Sequence, residues 1–258
     1  MALFAEVRDV PSAAPPLVML HGFGGVAELW APIIEGLDRR QPIIAYDLPG
    51  HGRSLGAAGA GHAGDMAKAI LADLDQRGVE RCHVVGHSMG GAIAALLAIR
   101  APERVASLTM LAPGGFGPAI NHRALKRFAE AKTVEELRIA IEPLCGFNGS
   151  VPDAALAAMA DMRQSPDALS SLQHILKSFL SEKDGKVVQG ALPLSMFIDL
   201  AMPIRLVWGL EDMILPVTQA DQLPVQVTLT KIAGVGHMLI DEAPAAVLSA
   251  INANLLRA

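Results

Sequence analysis

The sequence predicts an α/β chain: a mainly parallel central sheet of about seven or eight strands, flanked by helices and interrupted by one helical insertion. Three observations predict it. Apolar runs of strand length alternate with longer segments of helical periodicity. Most of those runs are apolar throughout, as strands covered on both faces require. The alternation then fails over one internal stretch that shows only helical patterns.

In chain order, the strand-like runs are PLVMLH (16–21), PIIAYD (42–47), CHVVGH (82–87), RVASLTMLA (104–112), PIRLVWG (203–209) and VQVTLTKIA (225–233). Ahead of the first there is room for one short strand or two. Between and after them, 27–40, 64–78, 89–102 and 243–256 read as helices. From about Gly114 to Leu194 the pattern changes. HRALKRFAEAKTVEELRIAIEPL and DAALAAMADMRQ are helical in period, with no convincing strand between them. The expected division is a core of 1–114 and 195–258 with a helical cap at 115–194. Pro113, Gly114, Gly115 and Gly117 form its leading hinge and GALPLS its exit.

Composition narrows the function classes. The chain has 258 residues, 52% of them hydrophobic, and a net charge of −5. No Lys/Arg cluster offers a surface to nucleic acid or to anionic lipid. The longest uncharged stretches, such as 84–99, carry His, Ser and several Gly, and fall short of the roughly 18–20 apolar residues a span needs. MALFAEVRDV lacks the basic and apolar regions of a signal peptide. Cys82 and Cys145 are far apart, without CxxC spacing, and read as ordinary thiols. Neither HxHxDH nor HExxH spacing occurs. The expectation is a cytoplasmic monomer or homodimer acting on a small molecule, with no cofactor, metal, nucleic acid or membrane.

Chemistry concentrates at the ends of the strand-like runs. In Gly86-His87-Ser88-Met89-Gly90-Gly91 a buried-type strand must become a helix with almost no loop. That needs a sharp, strained turn with Ser88 at its apex and flanking residues without bulk. Ser88 would sit at a helix N-terminus, where developing negative charge is favoured. HGFGG (21–25) follows another strand and can present a backbone N–H to an oxyanion. Phe23 is assigned that donor, with Met89 as its partner. VWGLEDMILP (207–216) places Glu211 and Asp212 just past a strand. AGVGHMLIDEAP (233–244) places His237 in a glycine-rich loop, where an imidazole can reach a serine hydroxyl as a general base. Nucleophile, acid and base thus occur in that order, each after a strand.

LVMLHGFGG, AYDLPGHGRS, VVGHSMGG, VWGLEDMILP and GVGHM together resemble the α/β-hydrolase family over essentially the whole core. The resemblance implies Ser88 as nucleophile, Asp212 rather than Glu211 as the acid, His237 as base, and an oxyanion hole from the N–H groups of Phe23 and Met89. It also implies a cap, and a structural role for Asp47, Gly50, Gly52 and Ser54. Within that family, residues 104–131 are similar to the hydrolase domain of acetoin dehydrogenase acyltransferase-like proteins. Those often carry a leading lipoyl domain; this sequence has none, so transfer to lipoyl-lysine is not expected.

The expected activity is hydrolysis of a carboxylic ester or thioester with a small-to-medium, largely apolar acyl group. Same-fold alternatives are a carbon–carbon bond hydrolase and a cofactor-free haloperoxidase. Met238 stands where the former usually has Trp. Another class of alternative is a non-catalytic binding module or an accessory of an acetoin-type complex. Phe23, Met89, Phe116, Met213 and Ile214 are expected to line the pocket. Phe128, Leu144, Phe147, Met159 and Met162 are candidates for its roof.

Overall fold

The computed structural model describes residues 2–256. Its strands and helices follow in order: β1 (Ala5–Arg8), β2 (Leu17–Leu20), α1 (Ala31–Gly36), β3 (Ile43–Tyr46), α2 (Ala63–Gln76), β4 (Cys82–His87), α3 (Met89–Arg100) and β5 (Val105–Leu111). The insertion contributes α4 (His122–Glu130), α5 (Val134–Ile141), α6 (Asp153–Met162), α7 (Ala168–Phe179), β6 (Leu180–Lys183) and β7 (Lys186–Gln189). The chain then returns with β8 (Ile204–Gly209), β9 (Val227–Ile232), α8 (Leu239–Glu242) and α9 (Pro244–Leu255).

Seven strands form one sheet in the order β1-β3-β2-β4-β5-β8-β9. Only β1 runs antiparallel, against β3; the other pairings are parallel. Residues of β2, β3, β4 and β5 are buried throughout, which is why their sequences are apolar without alternation. The chain steps from β2 to β3 in one direction and from β3 to β4 in the other. Right-handed crossovers therefore put α1 and α2 on opposite faces. Accordingly α2 packs on α3, and α1 on α9. The two edge strands, β1 and β9, are the exceptions in burial, with largely intermediate and exposed patterns.

Two expectations need correction. The run 122–144 is two helices, because Thr133 and Glu136 form a capping box that starts α5 afresh. The Glu136 carboxylate accepts from the N–H groups of Lys132 (2.7 Å) and Thr133 (3.3 Å). The insertion is also not purely helical. β6 and β7 form an antiparallel hairpin around Asp184-Gly185, both at positive φ (52° and 70°), as a primed two-residue turn requires.

The insertion is stapled where it begins. The buried Gln189 side chain accepts from the Gly115 N–H (3.1 Å) and donates to the Gly117 carbonyl (2.9 Å). Its own N–H donates to the Pro118 carbonyl (3.0 Å). Among the described residues no helix is long and apolar enough to cross a membrane.

Candidate active site

Three strand ends of the sheet bring the site together. At the end of β4, Ser88 has φ 53° and ψ −115°, outside the comfortable backbone regions. The strain is held by its own main chain: its N–H donates to Leu111 (2.8 Å), and its carbonyl accepts from Ala92 (3.1 Å) and Gly114 (2.9 Å). A Cβ on Gly86 would overlap the Gly90 carbonyl oxygen, and one on Gly90 would overlap that of Leu20. These two positions must be glycine for strand and helix to approach so closely.

The Ser88 hydroxyl donates to His237 Nε2 at 2.9 Å. His237 Nδ1–H donates to Asp212 Oδ2 at 2.8 Å. Both the imidazole and the carboxylate are buried. Asp212 is itself fixed: Oδ1 accepts from the N–H groups of Ile214 (2.8 Å) and Leu215 (2.9 Å), and Oδ2 from Trp208 Nε1 (3.1 Å). Glu211 is not in this chain of bonds. Its carboxylate accepts from the Phe147 N–H at 2.7 Å and ties the insertion to the core.

Other side chains position the loops. Glu242 accepts from the N–H groups of Gly146 (2.7 Å), Gly236 (3.0 Å) and Met238 (3.0 Å), bracing both sides of His237. The sequence reading missed it; the signal was an acid one turn into the helix after the histidine. His87 Nε2–H donates to the His237 carbonyl at 2.7 Å. Burial pushes the His87 pKa down to about 3, so the ring is neutral. The glycine-rich loop after β2 rests on two more buried histidines. His21 Nε2 accepts from the Leu48 N–H (3.0 Å), and His51 Nε2 from the Gly24 N–H (3.1 Å). Burial lowers both pKa values, which suits acceptor nitrogens.

The N–H groups of Phe23 and Met89 have no acceptor among the described residues. A Cβ on Gly22 would come within 3.3 Å of Ser88 Cβ, so this loop passes directly beside the serine.

A cavity of about 350 Å³ opens beside Ser88, within the usual range for small-molecule sites. Phe23, Met89 and Ile214 line it as the sequence predicts, and none of its lining side chains is Asp, Glu, Lys or Arg. Phe128, Leu144 and Met159 line a second, small cavity of about 30 Å³ that Ser88 also borders. Four expected residues lie elsewhere. Phe116 packs on Phe197 and Trp208 in the core (ring centroids 5.8 and 6.2 Å). Met213 is turned outward, because Asp212 holds the N–H groups of the two residues after it. The Phe147 side chain is 93% exposed, its backbone fixed to Glu211. Met162 lines neither cavity and packs partly buried against the core. The walls that were missed are Leu125, Phe179 and Leu192.

Phe128 is anchored from behind. The buried Arg163 donates from Nη1 to the carbonyls of Phe128 (2.5 Å) and Ala131 (2.6 Å), closing the C-terminus of α4. Its guanidinium lies 4.5 Å over the Phe128 ring. Burial lowers its pKa to about 10.

Comparison with known proteins identifies the fold. Residues 15–244 match the alpha/beta hydrolase fold family. The chain belongs to that family. It is an α/β-fold hydrolase, similar to the dihydrolipoyllysine-residue acetyltransferase component of the acetoin cleaving system of Cupriavidus necator. Identity is 32% over 225 residues, covering 87% of this chain and 59% of that protein. The corresponding Pseudomonas putida component is 33% identical over 228 residues, covering 88% and 60%. The chain thus spans about three fifths of the length of these two relatives. A monoacylglycerol lipase of Xenopus laevis is 28% identical over 258 residues, covering 92% and 74%. Among solved structures, 2-hydroxy-6-oxo-6-phenylhexa-2,4-dienoate hydrolase from Rhodococcus superposes with a TM-score of 0.76 at 21% identity over the whole of both chains. The enol-lactonase of Burkholderia xenovorans gives 0.77 at 18%, covering 98% and 96%. These two likenesses are of fold.

Proposed function

We propose that the protein is a serine hydrolase that cleaves a carboxylic ester or thioester through an acyl-enzyme on Ser88. One observation carries this reading: the unbroken Ser88–His237–Asp212 hydrogen-bond chain beside an apolar cavity. His237 takes the Ser88 proton as Oγ attacks the carbonyl carbon, while Asp212 holds the imidazole and stabilises the imidazolium. The free N–H groups of Phe23 and Met89 receive the oxyanion; a donor of this kind contributes about 3 to 4 kcal/mol to the transition state. His237 then passes the proton to the leaving group and later activates water against the acyl-enzyme. Residues 115–194 act as the cap that roofs the acyl group. The uncharged cavity wall supports an apolar acyl group.

The test is intact mass after treatment with a fluorophosphonate, on the parent chain and on Ser88→Ala. One adduct on the parent and none on the variant is the expected result; an unmodified, folded parent overturns the reading. A second reading, as an accessory of an acetoin-type dehydrogenase complex, is favoured by the likeness to the Cupriavidus necator component. It predicts co-purification with such a complex.

A further inference from the structure

The two cavities that meet at Ser88 are very unequal, and only one of them touches the base. Ser88, Phe23 and Leu125 border both. Of the two, His237 borders only the small cavity of about 30 Å³, which Leu144, Met159 and Met238 also line. His237 is not among the residues that line the cavity of about 350 Å³.

This asymmetry assigns the two halves of a substrate. The leaving oxygen must take its proton from His237 Nε2, so it departs on the side the imidazole borders. The water that later attacks must reach the same nitrogen, so it uses the same chamber. A water-sized site needs about 10 to 15 Å³, so this chamber holds roughly two such molecules. The acyl chain is left with the larger cavity.

We infer that the natural substrates are oxygen esters of a bulky apolar acid with a very small alcohol, methanol or ethanol in size. The inference rests on the acyl-enzyme reading above and narrows it. Oγ of Ser88 forms a bond to the carbonyl carbon, the bond from that carbon to the alkoxy oxygen breaks, and the serine proton leaves with the alcohol by way of His237. Water then occupies the emptied chamber, gives one proton to His237 and its oxygen to the acyl carbon. The acid is released and Ser88 regains its proton. Met159 and Leu144 set the alcohol limit, and a long thiol such as a pantetheine arm is excluded.

The experiment uses the full chain and acid release followed in a pH-stat. One series is the methyl, ethyl, propyl and butyl esters of hexanoic acid; the other is the methyl esters of butanoic, hexanoic and octanoic acids. The expected result is a fall in kcat/KM of at least about tenfold from methyl to butyl, since a pocket discriminates single methylenes by about tenfold or more. The acyl series should not fall. Met159→Ala should raise the butyl-to-methyl ratio by about tenfold and leave the acyl profile in place. A flat or rising alcohol series, on a protein that fluorophosphonate still labels at Ser88, overturns the inference alone. Absence of that label removes the acyl-enzyme reading and this inference with it.

Discussion

Ser88 and Asp184 adopt nearly the same positive φ, 53° and 52°, in two turns that share little else. At the serine, backbone closes in from every side: a methyl group on Gly86 or Gly90 would overlap a carbonyl oxygen. At the hairpin tip the space around Gly185 is open. The first conformation is imposed by tertiary packing, and the second is chosen by local turn chemistry. Strain over-determined by packing fixes the position of the Ser88 side chain; a local turn only reverses the chain.

Removing the group that the first turn presents is the strongest way to break this contrast. Ser88→Ala should lower ester turnover at least about ten-thousandfold with an unchanged circular dichroism spectrum. Asp212→Asn, which leaves the His237 tautomer unspecified, should cost kcat a factor of about ten thousand; steady-state kinetics check it. Gly90→Ala should destabilise the fold by about 3 kcal/mol or more in urea titration. The matching change at the hairpin, Gly185→Ala, meets only the backbone penalty of about 1 kcal/mol.

A subtler probe uses pH. Burial holds the His87 pKa near 3 in the folded protein, against an ordinary value of 6.5. Between those values the unfolded chain takes up a proton that the native state refuses. The native advantage is therefore complete above pH 6.5 and is lost as pH falls toward 3. His87→Gln should flatten stability against pH over that range by up to about 1.4 kcal/mol per pH unit, relative to the parent. Urea midpoints from pH 7 to 4 measure it. The smallest effect belongs to the exposed insertion surface. Phe147→Ala should change stability by less than about 0.5 kcal/mol and turnover by less than twofold.

The same contrast explains what could be read from the sequence. The core strands were legible because burial on both faces leaves an apolar run. The elbow was legible because close approach leaves glycines around one serine. Asp212 could be favoured over Glu211 only through the family pattern, since both follow the same strand; the structure shows Glu211 bonded to the insertion instead. The cavity wall was harder. Helical period says that α4 has an apolar face, not that Leu125 borders both cavities and Phe128 only the smaller. Met213 and Ile214 are neighbours in sequence, and only the hydrogen bonds to Asp212 decide which turns inward. The hairpin was missed because its strands are largely polar, although Asp184-Gly185 was a usable turn signal.

Gln189 has a consequence for how such a chain can diversify. It stands at the end of β7 and holds Gly115, Gly117 and Pro118 with three hydrogen bonds, so the inserted segment leaves and rejoins the core at nearly one point. Strands β5 and β8, which it separates in sequence, still pair directly from Leu108–Ile204 to Leu111–Val207. To the sheet, the long excursion is mechanically equivalent to a short connection. The contents of the insertion can therefore change without disturbing the register in which β5 and β8 pair.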